Sequence, residues 1–413
     1  MIGLMSVLGH DDELHMVLAS RQTPGRVETA SFEVVRQAGR LLARWRWQLW
    51  FSVVILEACA STSTLASDMW MFAARGGDIL HGNLGAVYSD SGNQGGPLQL
   101  LVSWAMLRGS AGGYPSVVVV ATVNICLLTV ALLACRSRCV APSGRSPRRE
   151  AVVGALVAMW LLPTSGFWSG HPAEILIPIL WVAAAMSVRH RHWLAAGVLA
   201  GAATAVAPWG ILALPIVLLS PTRRGAIAAG LTGIVVSAGA YLPFVLTHHF
   251  LLLHHSWPVN HASLVHLLAP DVHYFGWDLR VLQAVIVMGA CAFVARRCRT
   301  TDALWLAPLT AALLRVLTDP VQGSYYWLPL AAAVIGGVAL GAPQLKEPMS
   351  WVAVALLAYV PFLVTSASSM WLIFGALCLG ALTVLILMPP ANAKVSCRKA
   401  PPVLASVRRS RRA

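Results

Sequence analysis

The chain of 413 residues reads as an all-α protein, a polytopic membrane helical bundle of about 12 spans. Three observations predict this. Hydrophobic residues make up 57% of the chain and charged residues only 11%, against about 25% charged in a soluble domain. So little polar surface cannot keep a fold in water. Apolar runs such as Val117–Ala134, Val352–Thr365 and Leu372–Met388 are continuous and rich in Leu, Ala and Val. In lipid every backbone polar group must be satisfied internally, so such runs mean helices, whereas ten-residue alternations would mean a barrel. Thirdly, basic clusters recur at Arg36 to Arg46, Arg136 to Arg149, Arg189/Arg191, Arg223/Arg224, Arg296 to Arg299, Lys346 and Lys394 to Arg412. Arg and Lys in short loops stay on the cytoplasmic side, so an even number of crossings separates each neighbouring pair.

That condition places the elements in order. Residues 1–46 form a polar, basic cytoplasmic segment with no secretory signal. The transmembrane domain fills 47–388, with spans at 47–66, 115–135, 151–165, 174–188, 193–206, 208–220, 225–246, 280–296, 302–318, 326–342, 350–367 and 370–388. Residues 389–413 are a basic, disordered cytoplasmic tail, so both termini are cytoplasmic and the protein sits in the plasma membrane. Only Arg75, Arg108, Arg280 and Arg315 fall outside the cytoplasmic set. Two outer loops are long. The first, Ser67–Pro115, holds two interfacial helices, Asp68–Gly82 and Gly96–Arg108; the second, His248–Asp278, is rich in His and aromatics. The net charge of +14 therefore belongs to the cytoplasmic loops and implies no nucleic-acid partner. None of the eight cysteines falls in an outer loop, which argues against a disulfide framework.

The chemistry-bearing residues cluster in the outer loops and span ends. Asp68 closes the first span and precedes Gly76-Gly77-Asp78-Ile79-Leu80-His81-Gly82, Tyr88 and Gly95-Gly96-Pro97-Leu98. Gly170-His171-Pro172-Ala173-Glu174 forms the second outer loop. Ala196-Gly197-Val198-Leu199-Ala200-Gly201, Ala207-Pro208-Trp209, Asp319-Pro320, and Tyr325-Tyr326 with Pro329 follow. In this order and topology, over residues 47–345, the motifs resemble the GT-C glycosyltransferases, in particular the actinobacterial group that uses polyprenyl-phosphate mannose or arabinose. The sequence departs from that group at Ala207, where the family has Lys, and at His171, where Gln is common; both changes bear on donor choice.

The resemblance implies an inverting transfer at the outer face. A mannosyl or arabinofuranosyl unit would move from a polyprenyl-phosphate sugar donor to a glycolipid or glycan acceptor of the envelope. It implies Asp68 as the base that takes the acceptor's proton; the other reading of Asp68 is a helix cap. Arg315, a cation inside an apolar span, holds the leaving phosphate with Arg280, His248 or His249, or else pairs with Asp319. Glu174, His171, Asp78 and Tyr325 line the pocket, although Asp78 lies three residues from Arg75 and also reads as half of a surface ion pair. Glu57, in mid-span, is protonated or bonds inside the bundle near the site. No cofactor and no obligatory metal are expected, because the outer loops lack an Asp-x-Asp motif and the histidine spacing fits no zinc motif. The alternative is a transporter or flippase without transfer chemistry, favoured by charges inside spans and opposed by the lack of inverted repeats.

Overall fold

The computed structural model describes residues 45, 47–56, 58–59, 67–109, 115–135, 150, 153–154, 156–157, 171–299, 303–321, 323–340, 348–366 and 370–387. Met1–Leu49 and Trp50–Ala413 are separate units, and the helices named below belong to the second. Glu57, Gly170, the cluster from Arg136 to Arg149, most of the 151–165 span and the 389–413 tail lie outside the described residues.

The described residues are 80% helical. In chain order the helices are α1 (Ser67–Leu80), α2 (Leu84–Val87), α3 (Pro97–Gly109), α4 (Pro115–Cys135), α5 (Ala173–Arg189), α6 (Trp193–Val206), a 3-10 helix at Pro208–Leu219, and α7 (Arg223–Val245). A small ladder of β1 (Trp257–Pro258) and β2 (Tyr274–Phe275) brackets α8 (Leu264–Leu268). Then come α9 (Trp277–Cys298), α10 (Leu306–Thr318), α11 (Leu328–Leu340), α12 (Pro348–Ser366) and α13 (Trp371–Leu387). From residue 171 onward each expected span coincides with one of these helices. Two of them, α7 and α9, are long and apolar enough to cross a membrane.

Packing divides the helices into inner and outer ones. In α10 and α11 nearly every residue is buried, so an all-round apolar sequence finds partners on every side. The outer faces of α7 and α9 are different: Ile227, Leu231, Val235, Val281, Val285 and Phe293 are each more than half exposed.

The segment 67–109 folds as a helical hairpin in which α1 packs on α3. Glycines permit the approach. A Cβ on Gly76 would collide with the Leu100 carbonyl, and one on Gly96 with the Ala205 carbonyl. Gly96 N–H donates to the Val206 carbonyl at 2.9 Å, pinning the hairpin to the end of α6. One glycine of each motif pair, Gly76 and Gly96, is thus a packing requirement. With 13 residues α3 is about 20 Å long, short of the roughly 30 Å hydrocarbon core.

Candidate functional site

Segments from across the chain converge on one cavity of about 320 Å³. Asp68 comes from the first turn of α1, and Gln94 and Gln99 from the hairpin beyond it. His171 and Glu174 flank the start of α5. The break between α6 and the 3-10 helix adds Ala207, Pro208 and Trp209. The first turns of α9 contribute Trp277, Arg280, Gln283 and Ala284, positions three or four apart and therefore on one helical face. Arg315 lies in the last turn of α10, with Asp319 just beyond, and Tyr325 and Tyr326 come from the turn before α11.

The floor is built from two ion pairs. Arg315 donates from Nη1 to Glu174 Oε2 at 2.6 Å and from Nη2 to Oε1 at 3.0 Å, a bidentate fork with both side chains 6% exposed. Its guanidinium carbon lies 3.8 Å from the ring centroid of Trp209. Arg280 makes a second fork to Asp319, with Nη1–Oδ2 at 3.1 Å and Nη2–Oδ1 at 3.3 Å. It also donates to Gln283 Oε1 at 2.8 Å and lies 4.2 Å from the Trp257 centroid. Cations stacked on aromatic faces are stabilised by the ring quadrupole, and most strongly when shielded from water.

The rim is looser. The Asp68 side chain is 46% exposed, and its Oδ2 is 3.6 Å from His171 Nε2, an electrostatic contact rather than a hydrogen bond. The His171 ring stacks on Tyr325 with centroids 3.9 Å apart and planes 4° from parallel. Burial holds the His171 pKa below its ordinary value; Asp68 pulls it back up, and Arg315 pushes it down. Burial also raises the Tyr325 hydroxyl to about 12, so it stays a neutral donor.

Of the nine residues nominated from sequence, Asp68, His171, Glu174, Arg280, Arg315 and Tyr325 line this cavity, whereas Asp78, His248 and His249 do not. Asp78 accepts from Arg75 at 3.2 Å within one helix, the surface pair its spacing suggested. His248 takes a left-handed φ of 60° where the chain leaves α7. Beyond it Phe250 packs edge-on to Tyr88, and Leu251 N–H donates to the Tyr88 carbonyl. That anchor sets His248 and His249 aside from the cavity, and His255 lines it in their place. The alternative partner foreseen for Arg315 also changes: Glu174 takes it, and Asp319 goes to Arg280.

Sequence reasoning missed Asp319, Trp209, Trp257, His255 and Gln283 as site residues. Asp319 and Trp209 stood inside noted motifs. His255 and Trp257 stood in the loop noted for its histidines and aromatics, where Trp257 reads as an interfacial anchor, and Gln283 carried no local signal; the ladder and α9 bring the three to the cavity.

Three carboxylates, two guanidiniums and several aromatic faces suit a polyhydroxylated ring, because flat faces stack on it while carboxylates and glutamines bond its hydroxyls. Among the described residues no group of three or more His, Cys, Asp or Glu is placed to hold a metal ion. No protein-family model matches the chain, and no curated protein matches it, so the chemistry of this cavity is the ground for assigning a function.

Proposed function

We propose that the chain is a membrane-embedded inverting glycosyltransferase of GT-C type. It moves a mannosyl or arabinofuranosyl unit from a polyprenyl-phosphate sugar to an envelope glycolipid or glycan at the outer face of the plasma membrane. The observation that carries this reading is the convergence of six residues nominated from the sequence on one cavity with sugar-binding chemistry. Asp68 takes the acceptor hydroxyl's proton as the new bond forms. Its exposure and its place at the rim suit a group that must meet an incoming acceptor. Arg315 and Arg280 fix Glu174 and Asp319 as acceptors for sugar hydroxyls. A guanidinium has five N–H donors, and Arg315 spends two on Glu174, so donors remain for the leaving phosphate.

The membrane setting rests on the outer helices. Only 22% of the apolar window of α7 and 28% of that of α9 is buried inside the protein. Such surfaces need an apolar solvent, and lipid supplies it. Twelve crossings with cytoplasmic termini accommodate every long helix from α4 onward and leave α1 and α3 at the interface. The donor's lipid cannot leave the bilayer cheaply, at about 0.8 kcal/mol per buried CH₂, so its sugar-phosphate must enter the cavity sideways.

A carrier without transfer chemistry is the second reading, because Arg315 is a charge buried within an apolar helix, as in coupled transporters. One assay separates the two. Purified protein in lipid nanodiscs, given radiolabelled polyprenyl-phosphate mannose or arabinose and envelope glycolipid extract, should label the glycolipid. No label from either donor, together with donor movement across proteoliposomes, would establish the carrier instead.

A further inference from the structure

At the end of the bundle away from the cavity, α6 and α7 begin side by side. A Cβ on Gly225 would collide with the Trp193 indole, one on Gly197 with the Ala229 carbonyl, and one on Gly201 with the Gly233 carbonyl. The pairs 193 with 225, 197 with 229 and 201 with 233 keep one offset, so the two helices run parallel and their starts share an end. At their other end, beside the cavity, the Tyr241 hydroxyl donates to the Thr204 carbonyl at 3.0 Å.

This parallel start gathers arginines. Between α5 and α6 the chain makes a tight turn, in which Arg191 N–H donates to the Val188 carbonyl at 3.0 Å and His192 N–H to the Ser187 carbonyl at 2.9 Å. Arg191 takes a left-handed φ of 61° there, a conformation glycine adopts more readily. Arg223 and Arg224 open α7 next to that turn, because Gly225 lies against Trp193. Arg191, Arg223 and Arg224 are all exposed, and among the described residues none of the three meets a carboxylate. Beyond them the surface turns apolar at once. Leu194 and Val198 on α6 are 68% and 46% exposed. Ile227 and Leu231, one and two turns along the same face of α7 as Arg223, are 61% and 59% exposed.

We propose that Arg191, Arg223 and Arg224 hold the headgroup phosphate of an anionic phospholipid whose acyl chains lie along the aliphatic rows of α6 and α7. A guanidinium suits phosphate because its fork donates two parallel N–H bonds to two oxygens. A soluble anion would satisfy the arginines and leave the aliphatic rows bare, whereas a lipid covers both. The basic end is remote from the cavity, so this lipid is neither donor nor acceptor but part of the protein's support. The proposal rests on the membrane setting given above and not on transfer chemistry.

The test is thermal unfolding of the full chain in neutral detergent micelles titrated with phosphatidylglycerol. A ligand that binds only the folded state raises the midpoint until the site saturates. Each basic residue near an anionic headgroup contributes about a fivefold gain in affinity, so R191Q/R223Q/R224Q should need about 10²-fold more lipid for the same rise. R191K/R223K/R224K keeps the charge that orients the chain in the membrane but loses the fork, so it should fall between that variant and wild type. R296Q/R297Q/R299Q, which removes equal charge from the end of α9, should respond as wild type does. Wild-type affinity in either of the first two variants would overturn the proposal. So would an equal rise with sn-glycerol 3-phosphate in place of the lipid, since that would be a phosphate site without a role for the chains. A chain that is folded and soluble without detergent would instead overturn the membrane setting itself.

Discussion

The floor and the rim of the cavity use the same kinds of residue for different ends. On the floor, Glu174 and Asp319 commit both carboxylate oxygens to a guanidinium at 2.6–3.3 Å, and each guanidinium lies over an indole ring. At the rim, Asp68 is half exposed, and its contact with His171 is too long for a hydrogen bond. A clamped carboxylate has little freedom to follow a reacting hydroxyl. An exposed one meets solvent and an incoming acceptor, and adds little to stability. On the proposed function, the chain thus separates charges that hold a shape from the charge that does chemistry, and burial makes the separation.

The largest effect that would break this comparison belongs to the rim. Asp68→Asn keeps the shape and the capping ability of the side chain but cannot accept the proton. Turnover should fall by about 10²–10⁴-fold, with folding and donor binding intact. Full activity in this variant would remove Asp68 as the base.

The next effect belongs to the floor. Glu174→Ala leaves Arg315 buried without its fork, and stranding one partner of a buried pair costs about 3–5 kcal/mol. Unfolding in mixed micelles should show it as a clear loss in midpoint. Replacing both Arg315 and Glu174 with leucine should cost less, because no charge is stranded. A single variant as stable as wild type would show that water or lipid headgroups reach the floor.

A smaller effect should follow pH. Burial lowers the His171 pKa, so between that lowered value and the ordinary value of 6.5 the unfolded chain binds the proton more readily. Stability should therefore fall as pH drops below 6.5 and level off once His171 is protonated in the folded state too. His171→Gln should remove that share of the slope. Unfolding midpoints from pH 8 to about pH 4 measure it, and identical slopes in the two proteins would place the pH dependence elsewhere. The smallest effect should come from Asp78→Asn. Its contact with Arg75 spans one helical turn, so the loss should stay below about 0.5 kcal/mol.

How much of the molecule was legible in sequence depended on the range of the signal. Helix placement was local: apolar runs between arginine clusters located every long helix from α5 onward, because a long apolar run has few other conformations open to it in lipid. The hairpin of α1 and α3 was legible as two helices, and the glycines that weld them were visible as motif residues without a visible purpose. The partners of Arg315 and Arg280 were not legible. Glu174 is 141 residues from Arg315, and Asp319 is only four, so proximity along the chain favoured the wrong pairing. His255 replaced His248 and His249 for a similar reason, since the anchor at Tyr88 that turns the loop lies more than 150 residues upstream.

The 3-10 helix at Pro208–Leu219 has a consequence for length. Its 12 residues extend about 24 Å, where an α-helix of the same count would extend about 18 Å. With three residues per turn it also stacks Pro208 over Ile211 and Trp209 over Leu212, and all four face the cavity. The stretch is thus a ruler, fixing how far apart its two ends lie. Rewound as an α-helix it would shorten by about 6 Å. The same rewinding would rotate one end against the other by more than half a turn, carrying Trp209 off the guanidinium of Arg315.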